Sequence, residues 1–480
     1  MIHNKKILFS LLVSSFVFVS PTAISAVSVK HVVQSVMHDS LDVAISQKRV
    51  QSSEASITVE QGRFDWALVG KTGYEHQEIP TTTAAGVVTT GTTSNDVWSA
   101  GIGLKKQFQN GVSITPGLQY FYQDNDSLDT LTDTQSIVHL GVNIPMMKGS
   151  GEEVVTASVK SSKLNFESAK LQHMHDVSQS VAESVKLFWS SLAAKKSLEA
   201  LQQTARYATE FSNSLKQLAD QGEIAPITYQ NTQAALLLKR QDINKAATTL
   251  GDAKRRLLLM MNSELPPTNN GFELTGDFPA ISENLDEMNL DSSRWIEMAL
   301  QNRTDMKALR LRLDAELMLA KSAKNALLPQ VDLNFDLDRV YLTYEKTFGN
   351  KAARGRVTQS KTSIDRHKLE ITKLKRTIEN NVLAALDRIR NAHENYQYAV
   401  PSVELYEMMN TNTRQKIKQG EATPNEYTVI QDKLAQAKRH LILAQRDYAN
   451  GIAMLRLATG TVGINEGHES QQVATQFMSL

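Results

Sequence analysis

Two long stretches without proline limit the folds that this chain can adopt. None of its 11 prolines lies between Pro145 and Pro226 or between Pro329 and Pro401. In the second stretch, apolar residues recur every three or four positions from Ile371 to Val403, which is the period of a coiled coil. The first stretch follows the same spacing less regularly.

The spacing predicts two very long helices, from about Glu152 to Gln221 and from about Lys351 to Gln419. At ~1.5 Å per residue, each helix would be about 100 Å long. A globular domain has no room for such a helix, whereas a coiled coil or the wall of a tube does. Pro401 lies inside the second helix and predicts a kink there.

Both predicted helices end in similar residues at a constant offset. Gly222 corresponds to Gly420 and Pro226 to Pro424, so the offset is 420 − 222 = 198 positions. Glycine commonly ends a helix, and proline favours the first position of the next one. The pattern therefore predicts a helical hairpin made twice, with return helices that run to about residues 262 and 460.

Several shorter segments alternate apolar and polar residues with a period of two, which predicts half-buried strands. Residues 331–338 alternate without exception and residues 340–345 nearly so, which allows two strands of about eight residues with almost no loop. The first half contains three more such segments, at residues 98–104, 112–122 and 138–144. These strands fit an outer-membrane barrel with lipid outside and water inside. The alternative is an antiparallel sheet packed on a soluble core.

The N-terminus has the order of a secretory signal peptide. Lys5 and Lys6 precede the apolar run Ile7–Val19, and small residues follow as far as Ala26. Cleavage is expected near residue 25 or 26. The alternative is a membrane anchor, although the run is shorter than the ~20 residues of a spanning helix. No later segment is apolar for about 18 residues, so an exported chain is expected to cross a membrane only with β-strands.

Composition excludes several functions. The 480 residues include no cysteine, which rules out a disulfide framework, thiolate catalysis and a cysteine-bound zinc site. The formal charge is +1, and it becomes −1 without Lys5 and Lys6, which argues against a nucleic-acid-binding protein. No phosphate loop, zinc-binding helix motif or nucleophile elbow is present. His173 and His175 are two positions apart on a helix, so we expect solvated surface residues rather than a metal pair.

The segments group into two copies of one pattern. Residues 1–26 form the predicted signal peptide, residues 27–262 the first repeat and residues 292–462 the second repeat. Each repeat would contain an amphipathic helix, strands and a long helical hairpin. Residues 263–291, rich in Pro, Asn, Gly and Asp, are predicted to be a linker with a little local structure. Residues 463–480 are predicted to be a loose polar C-terminal tail.

Several short motifs resemble those of the TolC family of outer-membrane efflux proteins, over roughly residues 27–462. Ile144–Gly151 resembles the family's strand-to-helix box, and Phe348–Arg354 is similar to its second copy. Asn302–Asp305 and Ala326–Pro329 resemble two further family motifs. Gly222 and Gly420 sit where the family has its periplasmic hairpin tips.

The resemblance implies a mainly α protein with β-structure. A long, coiled-coil-like α-helical barrel would join a transmembrane β-barrel, formed as a homotrimer from a duplicated repeat. Each subunit would supply four strands to a twelve-stranded barrel in outer-membrane lipid. The function implied is a passive exit duct of a tripartite efflux or type I secretion system, leading from the periplasm to the outside. Its partners would be a periplasmic adaptor protein and an inner-membrane pump.

The resemblance also assigns roles at the hairpin tips. Glu426 falls where the family often has an acidic residue near the constriction, so it is a gate candidate whose three copies would favour cations. The alternative is that Glu426 is an exposed surface charge. Tyr229 and Tyr427 are expected to pack at the hairpin base rather than to contact substrate. The adaptor is expected to contact Gly222, Glu223, Pro226, Gly420, Glu421, Thr423 and Pro424.

Other classes of protein remain open at this point. A periplasmic coiled-coil adaptor would normally have one hairpin flanked by small β-domains, and a structural coiled coil would have no membrane-like strands. An enzyme is disfavoured because no base is paired with a nucleophile, and no cofactor or metal is expected. The sequence does not identify the cargo, and small-molecule efflux is favoured only because it is the commoner role in the family.

Overall fold

The computed structural model describes residues 26–81, 91–125, 133–264, 272–282, 291–462 and 470–478. Apart from Ala26, the predicted signal peptide lies outside the described residues. No helix in the described ranges is both long and apolar enough to cross a membrane.

In both halves of the described chain, two helices are followed by strands and then by a long helical hairpin, with four long strands in the first half and two short ones in the second. The first half contains β1 Ala26–Val27, α1 Val29–Asp39, α2 Leu41–Gln61, β2 Ala67–Thr81, β3 Gly91–Gln107, β4 Ser113–Asn125, β5 Asp133–Pro145, α3 Glu152–Val155, α4 Ala157–Asp220 and α5 Pro226–Met260. The second half contains β6 Glu273–Leu274, α6 Ser292–Asn302, α7 Thr304–Asn325, β7 Gln330–Phe335, β8 Val340–Glu345, α8 Lys351–Lys418, α9 Pro424–Thr459 and α10 Ser470–Gln476.

The two long helices are present close to their predicted bounds. Helix α8 has 68 residues and continues through Pro401 without ending there. The first long helix is interrupted near its start, because Thr156 leaves helical geometry between α3 and α4. The Thr156 hydroxyl donates a hydrogen bond of 2.6 Å to the Glu152 carbonyl. Helix α4 then has 64 residues, so both halves contain a rod of about 100 Å at ~1.5 Å per residue.

Two hydrophobic clusters hold the helices together near the middle of the long helices α4 and α8. The first cluster is formed by α1, the middle of α4, the end of α5 and part of α9, and includes the fully buried Trp189. The second is formed by α6, α7, α8 and the last third of α9, and includes Ile389 and Tyr448. Gly451 lies where α9 crosses α8, and a Cβ at this position would come within 2.6 Å of the Ile389 side chain. The two halves therefore share their core through α9.

The predicted tail and linker both contribute to the first cluster. The expectation of a loose tail is wrong for residues 470–478, since α10 buries Val473 and Phe477 completely. These two residues are four positions apart and share one face of the helix, a pattern that the polar composition of the segment obscures. In the linker, Phe272 and Leu274 are buried and β6 pairs with β1 in parallel. The linker is thus partly a core element.

The six longer strands form one sheet in the order β2-β3-β4-β5-β7-β8, antiparallel throughout. The resemblance implies four barrel strands from each subunit, and the sheet of the single chain has six strands. Strand β2 was not predicted, because Gly70, Thr72 and His76 interrupt its apolar face. Strands β7 and β8 have six residues each, not eight, whereas β2 to β5 have 13 to 17.

Candidate functional site

Both long helices end in the same backbone geometry. Gly222 and Gly420 each adopt a left-handed conformation with φ of +78°, which glycine adopts at little cost. The amide of Glu223 donates to the Leu218 carbonyl and the amide of Glu421 to the Lys416 carbonyl, both at 2.9 Å. This is the Schellman arrangement, in which the residue after the glycine satisfies a carbonyl of the last helical turn.

The return helices begin with proline in both hairpins, but their caps differ. Thr423 accepts a hydrogen bond from the Glu426 amide at 3.3 Å, and the Glu426 carboxylate accepts one from the Thr423 amide at 3.2 Å. This reciprocal pair is a capping box, and the Thr-x-x-Glu spacing could have predicted it. Ala225, at the same position of the first hairpin, has no side-chain cap. Glu426 therefore stabilises its own helix, a role that sequence reasoning missed.

The predicted adaptor-contact residues lie together at one end of the molecule, far from the sheet. Gly222, Glu223, Pro226, Gly420, Glu421 and Thr423 are exposed, and Pro424 is half-buried.

The two hairpins are joined side by side close to their tips. The rings of Phe211 on α4 and Tyr427 on α9 lie 4.5 Å apart between centroids. Arg414 on α8 and Glu210 on α4 approach within 3.9 Å. Tyr427 is 2% exposed because its ring packs between the two hairpins, and this burial raises the pKa of its hydroxyl. Tyr229 is half-buried and accepts a hydrogen bond of 3.0 Å from Gln233.

The six-stranded sheet has one apolar face. Its cross-strand pairing puts the residues of this face in register from one strand to the next. Many of these side chains are more than 40% exposed in the single chain, including Leu68, Tyr74, Trp98, Ile102, Leu118, Val138, Leu342 and Tyr344. An exposed apolar face of this size marks a surface that meets lipid or another chain.

The opposite face of the sheet is mostly polar or glycine, with Phe121 and Ile137 among the exceptions. Asn143 donates to Asn334 and Gln123 to Asn95, both at 2.9 Å across neighbouring strands. Cβ atoms built on Gly103 and Gly117 would approach the backbone of the adjacent strand at 3.1 and 3.0 Å. The two glycines therefore allow the backbones of β3 and β4 to approach closely on this face.

Aromatic residues mark two levels on the apolar face. Tyr74, Trp98 and Tyr122 are paired across β2, β3 and β4, and the rings of Tyr74 and Trp98 are 4.8 Å apart. At the other level, the Lys106 ammonium lies 5.1 Å from the centre of the Trp66 ring and 5.7 Å from that of Phe108. Trp98 and Phe108 are 10 positions apart, which is about 33 Å along a strand or ~25 Å of height at a ~40° tilt. A lipid-facing band has this height.

The motif Asn302–Asp305 forms a buried joint between helices. Arg303 donates two hydrogen bonds to Asp305, of 3.0 and 2.6 Å, and both residues are more than 90% buried. Burial tends to raise the pKa of Asp305, but the bonds from Arg303 outweigh it and the pKa lies below the usual value. A Cβ on Gly460 would come within 3.0 Å of the Arg303 backbone, so the end of α9 closes over this joint.

The expectation that His173 and His175 are solvated is wrong. His173 lies 2.6 Å from the buried Ser46 hydroxyl of α2, and His175 lies 3.7 Å from Asp305. Burial lowers the pKa of both imidazoles. The two rings point to different neighbours and fasten α4 to α2 and α7. Within the described ranges, no three acidic or histidine side chains are grouped so that they could hold a metal ion.

The two strand-to-helix boxes also share a local geometry. Gly149 and Gly349 have φ of +77° and +78°. The Gly149 amide donates a 2.7 Å hydrogen bond to the Asn325 side chain, and the Met146 amide donates one of 2.7 Å to the Val331 carbonyl. The first box is thereby fixed to the segment that leads into β7.

The fold is that of outer-membrane channels. The chain matches the CmeC outer membrane channel of Campylobacter jejuni with a TM-score of 0.67 and 14% identity, over 94% of this chain and 89% of that one. It matches the open state of the Neisseria gonorrhoeae MtrE outer membrane channel with a TM-score of 0.64 and 12% identity, over 90% and 88%. The Vibrio cholerae outer membrane protein VceC gives 0.65 and 10%, over 90% and 96%. No protein-family model and no curated protein sequence matches the chain.

Proposed function

We propose that this protein is an outer-membrane channel that serves as the exit duct of a tripartite export system. The observation that carries the proposal is the two-faced sheet, whose apolar side has aromatic levels ~25 Å apart. A soluble sheet would cover that face with its own helices, yet here the face is exposed. The solved channels that share the fold are outer-membrane proteins, which supports the same location for this chain.

A single chain cannot form the channel. Strand edges in lipid must be paired because no water is present to satisfy their amides and carbonyls. The sheet described here is open at β2 and at β8. Closure by further copies of the same chain is therefore part of the proposal, and a homotrimer is the assembly that the TolC resemblance implies.

The hairpins suggest how the copies would meet. Within one chain, Tyr427 of α9 packs on Phe211 of α4. The offset of 198 relates Tyr427 to Tyr229 and Phe211 to Met409, which is 46% exposed. By this approximate symmetry, Tyr229 would pack on Met409 of the next copy. The helices would then form a closed tube continuous with the barrel.

Transport through the tube would be passive. The protein contains no recognised nucleotide-binding loop, so energy would come from an inner-membrane pump linked by a periplasmic adaptor. The adaptor would contact the exposed tips at residues 222–226 and 420–424. Opening would separate the tip helices, and three copies of Glu426 would favour cations in the closed pore.

The periplasmic adaptor remains the second candidate from the sequence. It would normally have one hairpin flanked by small β-domains, whereas this fold has two hairpins and one six-stranded sheet. No observation favours it over the channel.

Conductance of the purified protein in a planar bilayer tests the proposal. We expect stepwise currents from detergent-purified protein and none from the same sample after heat dissociation. A protein that is recovered from the outer-membrane fraction but never conducts would contradict the channel function. Recovery only in the soluble fraction would contradict the location as well.

A further inference from the structure

The strands of the sheet differ greatly in length, and the difference follows the two halves of the chain. Strands β2 to β5, all from the first half, have 13 to 17 residues, whereas β7 and β8 from the second half have six. At ~3.3 Å per residue, six residues extend about 20 Å before any tilt is considered. A membrane strand needs ~9–11 residues.

The pairing register shows where the short hairpin lies. Strand β7 pairs with β5 only at residues 142–145, where Phe335, the last residue of β7, is opposite Val142. Val142 is opposite Ile114 of β4, which is opposite Lys106 of β3. Lys106 belongs to the aromatic level nearer the helices. The β7–β8 hairpin therefore ends near that level and does not extend along the apolar band.

This arrangement leaves most of one edge of β5 without a strand partner in the described part of the chain. The backbone of residues 133–141, nine positions from the Tyr74–Trp98–Tyr122 level down to the end of β7, belongs to no strand pair on this side, and Asp336 of the β7–β8 turn lies 3.9 Å from the His139 ring at the lower end. Strand β8 is too short and too low to cover them. If the chain spans a membrane, this edge lies in hydrocarbon and must be paired.

The free edge of β2 has the properties required of the missing partner. Its 15 residues are more than enough to cover nine, and it runs from the helices outward while β5 runs back toward them, as antiparallel pairing requires. The polar faces of both strands consist of odd-numbered residues, including Lys71, Glu75 and His139. Matching these faces restricts the register to odd residues opposite odd residues.

We propose that β5 of one copy pairs with β2 of the next, so that the membrane wall is built only from the first half of each chain. Three copies would then give twelve membrane strands, and the β7–β8 hairpins would form a collar at the base of the barrel. The inference rests on the proposed channel function. It keeps the four strands per subunit that the resemblance implies but takes all of them from the first half, whereas the alternating pattern fitted strands of both halves to the barrel.

The alternative closure pairs β8 with β2 of the next copy and gives an eighteen-stranded barrel. Two strands would then separate β5 from that β2, a distance of about 14 Å at ~4.8 Å per strand. Disulfides require Cα atoms ~4.4–6.8 Å apart. Cysteine crosslinking therefore distinguishes the two closures, and the chain contains no native cysteine to interfere.

The experiment uses the full-length chain in membranes and double cysteine variants on the polar faces. Glu75→Cys and Lys71→Cys are each combined with Gln135→Cys, Ile137→Cys or His139→Cys. The two residue numbers of each pair add up to an even value between 206 and 214, and each sum corresponds to one possible pairing register. We expect covalent dimers and trimers on a non-reducing gel for one register, abolished by reductant. The matched control, Glu75→Cys with Val138→Cys, puts the thiols on opposite faces and should give no covalent oligomer.

The outcomes separate this inference from the function on which it rests. One outcome would overturn the pairing of β5 with β2 but not the channel function. It is a non-covalent oligomer in the outer membrane that gives no β2–β5 crosslink but does crosslink Lys71→Cys to Tyr341→Cys on β8. A chain that is found only as a soluble monomer would overturn both.

Discussion

At the scale of single residues, Glu426 combines a structural role with a proposed electrostatic one. Its carboxylate completes the capping box with Thr423, which the structure shows directly. Its place in a ring of charge depends on assembly and is a proposal. Glutamine at the third helical position also completes a capping box, so substitution can separate the two roles.

We predict that Glu426→Gln keeps the tip stable but changes cation conductance or block in a planar bilayer, because only the charge is lost. Glu426→Ala should change conductance and also lose about 1 kcal/mol of capping energy. Hydrogen exchange at residues 424–430 measures the cap, and single-channel recording measures the charge. Unchanged currents in both variants would remove Glu426 from the gate.

The Arg303–Asp305 joint gives a second residue-scale prediction. Asp305→Asn would leave the buried Arg303 without its counter-charge, at a cost of about 3–5 kcal/mol. Hydrogen exchange at the start of α7 should accelerate roughly 100-fold or more, since ~1.4 kcal/mol corresponds to tenfold. Asp314→Asn, an exposed carboxylate on the same helix, is the control. Equal exchange in both variants would refute a structural role for the joint.

The pH dependence of this joint has a definite sign. The pKa of His175 and that of Asp305 both lie below their usual values, so the folded state binds fewer protons than the unfolded state. Stability from His175 is present above its unfolded pKa of ~6.5 and is lost below it. Stability from Asp305 is lost at lower pH, below about 4. The protection factors of amides near His175, which correct for the slower intrinsic exchange at lower pH, should therefore fall between pH 7 and pH 5, and a rise would contradict this account.

At the scale of elements, predictability followed the strength of the local pattern. The long helices were predictable because proline was absent and the heptad spacing continued for many turns. The tips were predictable because their Gly and Pro residues repeat at one offset. Strand β2 and helix α10 were missed because their own patterns are weak and their positions depend on β3 and on α1. The capping box was visible in Thr423 and Glu426 but was not used.

The contact between the hairpins can be tested with its two related tyrosines. Tyr427→Ala should remove the packing of α9 on Phe211 and cost about 3 kcal/mol or more, since its side chain is buried. Tyr229→Ala should have a smaller effect in a dissociated chain, because Tyr229 is only half-buried there. Exchange near residues 205–215 reports the difference. Equal effects in the dissociated chain would contradict the assignment of Tyr427 to the contact within one chain.

At the scale of the whole molecule, the account depends on surfaces that one chain leaves open. The sheet has free edges at β2 and β8, an exposed apolar face and a mostly polar opposite face. Sequence patterns indicated this two-faced character, but not the number of strands or the unequal heights of the two hairpins. Those features depend on pairing between distant segments, and the periodicity within one segment gives no information about such pairing.

The most direct test is the mass of the protein extracted from the outer membrane in mild detergent, measured by native mass spectrometry or light scattering. We predict three times the mass of one mature chain, in a particle that resists dissociation by SDS until it is heated. A stable, water-soluble particle with the mass of one chain would contradict the account.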